Sequence, residues 1–193
     1  PRNHSSAASD VYKRQLSGVL TTDLTLVAGN YYKLDGKVAV GIDMGSDGTK
    51  TGGASATLTI EPGVTVFGES GNDYLVVTRG SKINAVGTSS APIIMTGRQD
   101  ILGEADIVNT RGLWGGLVLL GKSPINKCSF STPGTSSTAG TRVNPCEKDV
   151  EGSVGDTMGG EIPTDSSGTL KYVRVQYAGY EVFPGNELNG ITF

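Results

Sequence analysis

Apolar and polar residues alternate with a period of two along the middle of this chain, and the alternation recurs. Leu58, Ile60, Val64 and Val66 are interleaved with Thr57, Thr59, Glu61 and Thr65, and Pro62-Gly63 supplies a corner between them. A half-buried strand places residues i and i+2 on one face, so the apolar set faces inward. The segments starting at Leu75 (Leu75-Val76-Val77-Thr78-Arg79-Gly80) and at Leu117 (Leu117-Val118-Leu119-Leu120-Gly121) can be laid on the one starting at Leu58 almost without gaps. Short units that repeat with apolar positions in the same places and are joined by glycine turns bury their inner face by stacking on copies of themselves. The pattern predicts an all-β parallel β-helix, a solenoid. Like side chains then stack about 4.8 Å apart, with Leu58 over Leu75 over Leu117 and Gly80 over Gly63.

The flanking segments extend the same reading. Leu16–Tyr32 predicts a leading strand or cap, and Lys33–Val40 a first short strand turning at Asp35-Gly36. Ala91–Gly97 forms a third side of the second coil. Arg98–Arg111 breaks the rhythm as an excursion with a short helical turn. Leu170–Gly179 reads as one strand with Val173, Val175 and Tyr177 on one face, matching Ile93–Gly97 by position. Gly190-Ile191-Thr192-Phe193 matches Gly116–Leu119, which predicts a helix incomplete at its C-terminus, with further coils of the same chain after Phe193. Residues 1–15 have no apolar period, and Asp10–Gln15 reads like a translated frame of the transposon end used in preparing sequencing libraries. They are set aside as a non-native or disordered tail, leaving 16–193 as the β-helix, a fragment of a longer, metagenomic chain.

Composition narrows the function. The chain has 29 glycines in 193 residues and a net charge of −3, more negative once the tail with Arg2, Lys13, Arg14 and Asp10 is removed. That balance argues against nucleic acid as a partner, because the phosphate backbone selects basic patches. No apolar run approaches the roughly 20 residues that cross a bilayer, so no transmembrane segment is expected. Cys128 and Cys146 bracket a Ser/Thr/Gly/Pro-rich insert, and a disulfide between them would tie its base and imply an oxidising, extracytoplasmic compartment. Free thiols are the alternative.

Candidate chemistry is sparse. Asp43–Gly53 resembles a calcium loop in having Asp43 and Asp47 ahead of glycines, but the twelfth position is Ala54 where an EF-hand needs glutamate, so a solvated loop is favoured and no other cofactor is implied. Glycosidase chemistry needs two carboxylates at fixed separation, and lyase chemistry a base with a charge-neutralising cation. The remaining acids, Asp100, Glu104, Asp106, Glu147, Asp149, Glu151, Asp156 and Glu161, all fall in loops, and no catalytic or metal residue is assigned. Trp114, Tyr172 and Tyr180 are possible glycan contacts. For Trp114, packing in the core among its flanking glycines is the favoured alternative.

The phrases Thr57–Gly63, Arg111–Asn126, Glu151-Gly152 and Leu170–Gly179 resemble a family of large secreted or outer-surface bacterial right-handed β-helix proteins of poorly defined function. The resemblance covers about Leu20 to Phe193, and the Trp114-Gly115-Gly116 phrase followed by the two-cysteine insert is its most specific part. It implies a right-handed helix, a location at the bacterial outer surface or outside the cell, and relatives that are lipoproteins or otherwise anchored. It carries over no catalytic motif. The expectation is a non-enzymatic surface or adhesion scaffold contacting glycans or other surfaces. The alternatives are a carbohydrate-active enzyme, either a polysaccharide lyase or a glycoside hydrolase, with its site in loops or missing coils, and a β-sandwich binding module, which would pair its strands antiparallel.

Overall fold

A computed structural model describes residues 13–126, 146–153 and 155–193. In chain order the elements are β1 (Lys13–Leu20), β2 (Leu24–Leu26), β3 (Tyr31–Val40), β4 (Thr57–Ile60), β5 (Thr65–Gly68), β6 (Tyr74–Val77), β7 (Lys82–Val86) and β8 (Ile93–Gly97). Then come α1 (Arg98–Ile101), β9 (Gly116–Leu119), β10 (Lys148–Asp149), β11 (Thr157–Met158), β12 (Gly168–Lys171), β13 (Val173–Val175), β14 (Glu181–Phe183), β15 (Asn186–Glu187) and β16 (Ile191–Thr192).

The strands wind into a three-sided, right-handed parallel β-helix. Side one stacks β2, β4, β7 and β12, all parallel. The first half of β3 carries β5, β8 and β13 above it on side two. The second half of β3 carries β6, β9 and β16 on side three. Strand β1 lies under the whole of β3 and bends with it at Ser17/Gly18. Both bends pass through glycine in the left-handed region, Gly18 at φ 64° and Gly36 at φ 67°, where a β-carbon would be strained.

Burial follows the alternation. In β4 Leu58 and Ile60 are sealed while Thr57 and Thr59 look out. Val64, Val66, Leu75, Val77, Ile83, Ile93, Met95, Leu117 and Leu119 complete the same core. Each such aliphatic side chain contributes about 1.5–3 kcal/mol by leaving water. Strands β6 and β9 are buried on both faces. Their outward residues Val76 and Val118 join Tyr74, Leu120, Val150 and Leu188 in a second apolar cluster. Segments from 146–153, 155–160 and 181–188 therefore lie across the outside of side three.

The columns differ from those the sequence alignment suggests. Leu75 does pair with Leu117, and Ile191 continues that column. Leu58, however, lies on side one between Leu24 and Ile83, while Leu75 stands over Val38. The step from Leu58 to Leu75 covers two sides of a coil, not three. Gly63 accordingly meets Ala91, to whose carbonyl its N–H donates, and not Gly80. The outer column of side one runs Thr25, Thr59, Asn84, Thr169. Leu170–Gly179 is broken at Tyr172: Leu170 belongs to β12 on side one, and Val173 and Val175 to β13 on side two, where they pair with Ile93 and Met95 of the expected stretch. Strand β16 thus completes the coil of β12 and β13. The first strand begins at Lys13 and takes in Arg14 and Gln15, residues the sequence reading assigned to the tail. Gln15 Nε2 donates to Asp35 at 2.9 Å.

Candidate functional site

Chemistry-bearing side chains converge on the outside of side three, around Arg79. After β6 the chain turns at Thr78–Ser81, with Thr78 Oγ1 donating to the Val40 carbonyl at 2.8 Å. Gly80 (φ 88°) leaves room for Met44, whose Cγ would lie 2.5 Å from a β-carbon there. The Gly41–Ser55 loop can therefore close over the turn, and Met44 N–H donates to the Arg79 carbonyl at 3.0 Å.

The Arg79 side chain is 4% exposed and fully engaged. Its Nε and Nη2 donate to the two oxygens of Asp43 at 2.6 and 2.8 Å. Its Nη1 donates to Glu147 Oε1 at 2.5 Å and to the Gly159 carbonyl at 2.8 Å. A planar guanidinium suits such a fork. One cation thereby latches the Gly41–Ser55 loop to the segment beginning at Cys146. Burial alone would disfavour the Asp43 carboxylate, but the bonds and charge of Arg79, with Lys50 at 3.1 Å, hold its carboxyl below the ordinary range. Burial likewise opposes the Arg79 charge, and Asp43 and Glu147 outweigh it, raising the guanidinium further.

The latch borders an open polar cavity of about 500 Å³ also lined by Ser46, Asp47, Lys50 and Thr157. Asp47 accepts from Thr49 N–H and Oγ1, both at 2.8 Å, and these bonds hold its carboxyl low. A neighbouring cavity of about 380 Å³ has Val19, Ala39 and Ile42 in its lining. Beside it, Lys37 Nζ meets buried Asp156 at 2.6 Å. Ser153 Oγ donates to Asp156 and lies 3.0 Å from the Tyr74 hydroxyl. This second polar knot fastens the same segment to β6.

The arrangement constrains reactivity. Asp43 is ionised and doubly bonded, so it holds no proton to deliver as a general acid, and Arg79, charged and paired, cannot accept one. Among the described residues no group of three or more His, Cys, Asp or Glu could hold a metal ion. The other acids are dispersed. Asp100 accepts from Thr96 Oγ1 at 2.8 Å, and Asp106 is occupied within its own turn by Val108 N–H and Asn109. Glu104, Asp149, Glu151 and Glu161 are exposed.

The aromatic candidates do not form one platform. Trp114 is 0% exposed and donates Nε1–H to the Gln176 carbonyl at 2.8 Å. A sugar needs an open ring face, so Trp114 is corrected from possible glycan contact to core. Tyr180, 37% exposed, lies against Gly71, where a β-carbon would fall 2.0 Å from its ring. That places it between sides two and three. Tyr172, 52% exposed, stands at the corner between sides one and two. Cys146 is buried, but Cys128 and the pairing of the two lie outside the described residues. Sequence reasoning missed Arg79. Its only local sign is a charged residue inside a tight Thr-Arg-Gly corner.

Among the described residues no helix is long and apolar enough to cross a membrane. A family model described as a pectate-lyase like beta helix domain matches residues 18–193. No curated protein and no solved structure matches the chain.

Proposed function

This chain belongs to the pectate-lyase-like β-helix domain family, and from that premise we propose that it is an extracytoplasmic surface scaffold that contacts glycans or other surfaces without cleaving them. The observation that carries this reading is the Arg79 latch. Among the described residues, the place where two carboxylates meet a cation on side three is a closed ion-pair network in which Asp43 and Glu147 are spent on holding a loop and an inserted segment together. Solenoid faces of this kind offer long, rigid surfaces for a polymeric partner. A bridge between Cys128 and Cys146 belongs to the same proposal and fits an oxidising compartment.

A carbohydrate-active enzyme is the competing reading, favoured by the open cavity of about 500 Å³ beside the latch. The test incubates the protein with a panel of soluble polysaccharides and follows both binding and chain length. Binding with no new reducing ends and no unsaturated product supports the scaffold. Cleavage that disappears in Asp43→Asn or Glu147→Gln replaces it with the enzyme. No binding to any glycan or cell surface removes the scaffold reading.

A further inference from the structure

Two excursions leave the helix at the corner between sides two and three, in successive coils, and both hold apolar side chains out in water. Between β8 and β9 the loop after α1 carries Ile107 and Val108, 82% and 80% exposed. Hydrogen bonds collar this tip. Thr110 N–H donates to the Asp106 carbonyl and Asp106 N–H to Thr110 Oγ1, each at 2.8 Å, while the Asp106 carboxylate accepts from Val108 N–H at 2.9 Å and Asn109 Nδ2 at 2.6 Å. Between β13 and β16 the β14–β15 hairpin exposes Phe183, and Gly185 N–H donates to Glu181 Oε1 at 2.9 Å to pin its turn. The bases of the two excursions are joined: Leu113 N–H donates to the Tyr177 carbonyl at 2.8 Å, and Gly179 N–H to the Gly115 carbonyl at 3.3 Å. Apolar groups gain by leaving water, so a corner that fixes three of them in water is preorganised for a contact.

The charge at this corner says what the contact must bring. The hairpin sets Glu181 across from Glu187, both exposed. Like charges in a cross-strand pair are destabilising, and neither meets a cation among the described residues. Glu104 and Asp106 add negative charge beside the aliphatic tip, and Arg98 is engaged by Glu69. Among the cations of the two excursions that leaves Arg111 against four acids. A fitting partner joins positive charge to an apolar surface.

The chain carries such a surface at the other end of the side-two strands, in the same coil as the hairpin. Where β12 leads to β13 the whole corner is one residue, Tyr172, strained at φ 49° with its ring half in solvent. Lys171 Nζ lies 5.7 Å from the ring centroid, and exposed Val86 is the register partner of Lys171 on the rung beneath. Arg174 points outward from β13, between the core-packed Val173 and Val175. Lys171 and Arg174 have no ion-pair partner among the described residues.

We propose that this chain associates side by side with further copies of itself, the corner between sides two and three of one copy docking on the corner between sides one and two of the next. Ile107, Val108 and Phe183 pack on Val86 and the Tyr172 ring, and Lys171 and Arg174 neutralise Glu181 and Glu187. The two corners lie at opposite ends of the side-two strands, so a copy displaced along those strands brings one against the other. Such a contact joins unlike surfaces and leaves one of each free, so it repeats into a row instead of closing as a two-fold dimer. This goes beyond the glycan reading and does not rest on it.

The experiment follows the mass of the purified protein by sedimentation velocity, up to its highest soluble concentration and at low and high salt. It compares the wild type, Ile107→Ser/Val108→Ser, Glu181→Lys/Glu187→Lys, Lys171→Glu/Arg174→Glu and the variant with both charge pairs reversed. Every substituted side chain is exposed, so the variants keep the fold, checked by circular dichroism. The wild type should form an open series of dimers, trimers and longer species, weakened by salt. The serine pair and each single reversal should raise the concentration of half-association about tenfold, and reversing both pairs together should regain the wild-type value. A protein monomeric at every concentration overturns the inference. So does association that stops at the dimer, that single reversals leave unchanged, or that the combined reversal fails to restore.

Discussion

Replacing Arg79 by methionine keeps most of the side-chain volume and removes the charge. It would leave Asp43 and Glu147, whose side chains are 21% and 18% exposed, without their shared cation. It would also leave the Gly159 carbonyl without its donor. Breaking a buried pair by deleting one partner costs about 3–5 kcal/mol, because the remaining charge stays desolvated. Partial hydration of both carboxylates places this case at the lower end, about 3 kcal/mol. For a domain of 150–250 residues that is a fall in melting temperature of roughly 6–12 °C. The assay is thermal and denaturant unfolding of wild type, Arg79→Met and the triple variant Arg79→Met/Asp43→Asn/Glu147→Gln. The triple variant removes the stranded charges and should regain most of the loss, since a neutralised site often matches an intact pair. Limited proteolysis should cut the single variant faster near Lys148. A single variant within about 1 kcal/mol of wild type, or a triple variant no better than the single, would refute the latch.

Further outcomes follow from the same geometry. Asp43 has a carboxyl held below its ordinary value of 3.8, so its stabilisation is complete above that value and is lost as pH falls through the lower, folded one. Acid unfolding curves of wild type and Asp43→Asn should therefore diverge in acid dependence only below about pH 4. Leu117→Ala should cost about 2–5 kcal/mol because Leu117 is fully enclosed, whereas Val86→Ala, on the exposed face, should stay within about 0.5 kcal/mol. If Cys128 and Cys146 are bridged, the denatured, unreduced protein will show no reactive thiol, and reduction will lower its stability by about 3 kcal/mol. Two titratable thiols would remove the bridge.

The fold was legible because the period-two alternation and the glycine corners are local. Leu58, Ile60, Val64 and Val66 are inward as read, the match of Leu170–Gly179 with Ile93–Gly97 holds over Val173–Val175, and that of Ile191 with Leu117 holds. The phase of the coils was not legible at Leu58. Sides one and three both read as two apolar residues with one residue between, followed by a corner ending in glycine, so Leu58–Gly63 and Leu75–Gly80 look equivalent while lying on different sides. A full three-sided coil needs about 20 residues or more, and that length separates the two readings. The latch could not be read locally, because Arg79 meets partners 36 and 68 residues away that only the winding brings together. The strain at Tyr172 was hidden for a related reason: Leu170–Gly179 alternates like one strand, and nothing in the pattern marks a corner inside it.

The stacking of Leu58 on Ile83, rather than on Leu75, fixes which side each functional residue occupies, and paired cysteine substitutions test it directly. Thr59 and Asn84 are outward register partners on adjacent parallel strands, about 4.8 Å apart, within the span a disulfide bridges. The account predicts that Thr59→Cys/Asn84→Cys forms that crosslink under mild oxidation, mapped by peptide mass spectrometry, and that Thr59→Cys/Val76→Cys does not. A crosslink in the folded Thr59→Cys/Val76→Cys variant, with none in Thr59→Cys/Asn84→Cys, would contradict it.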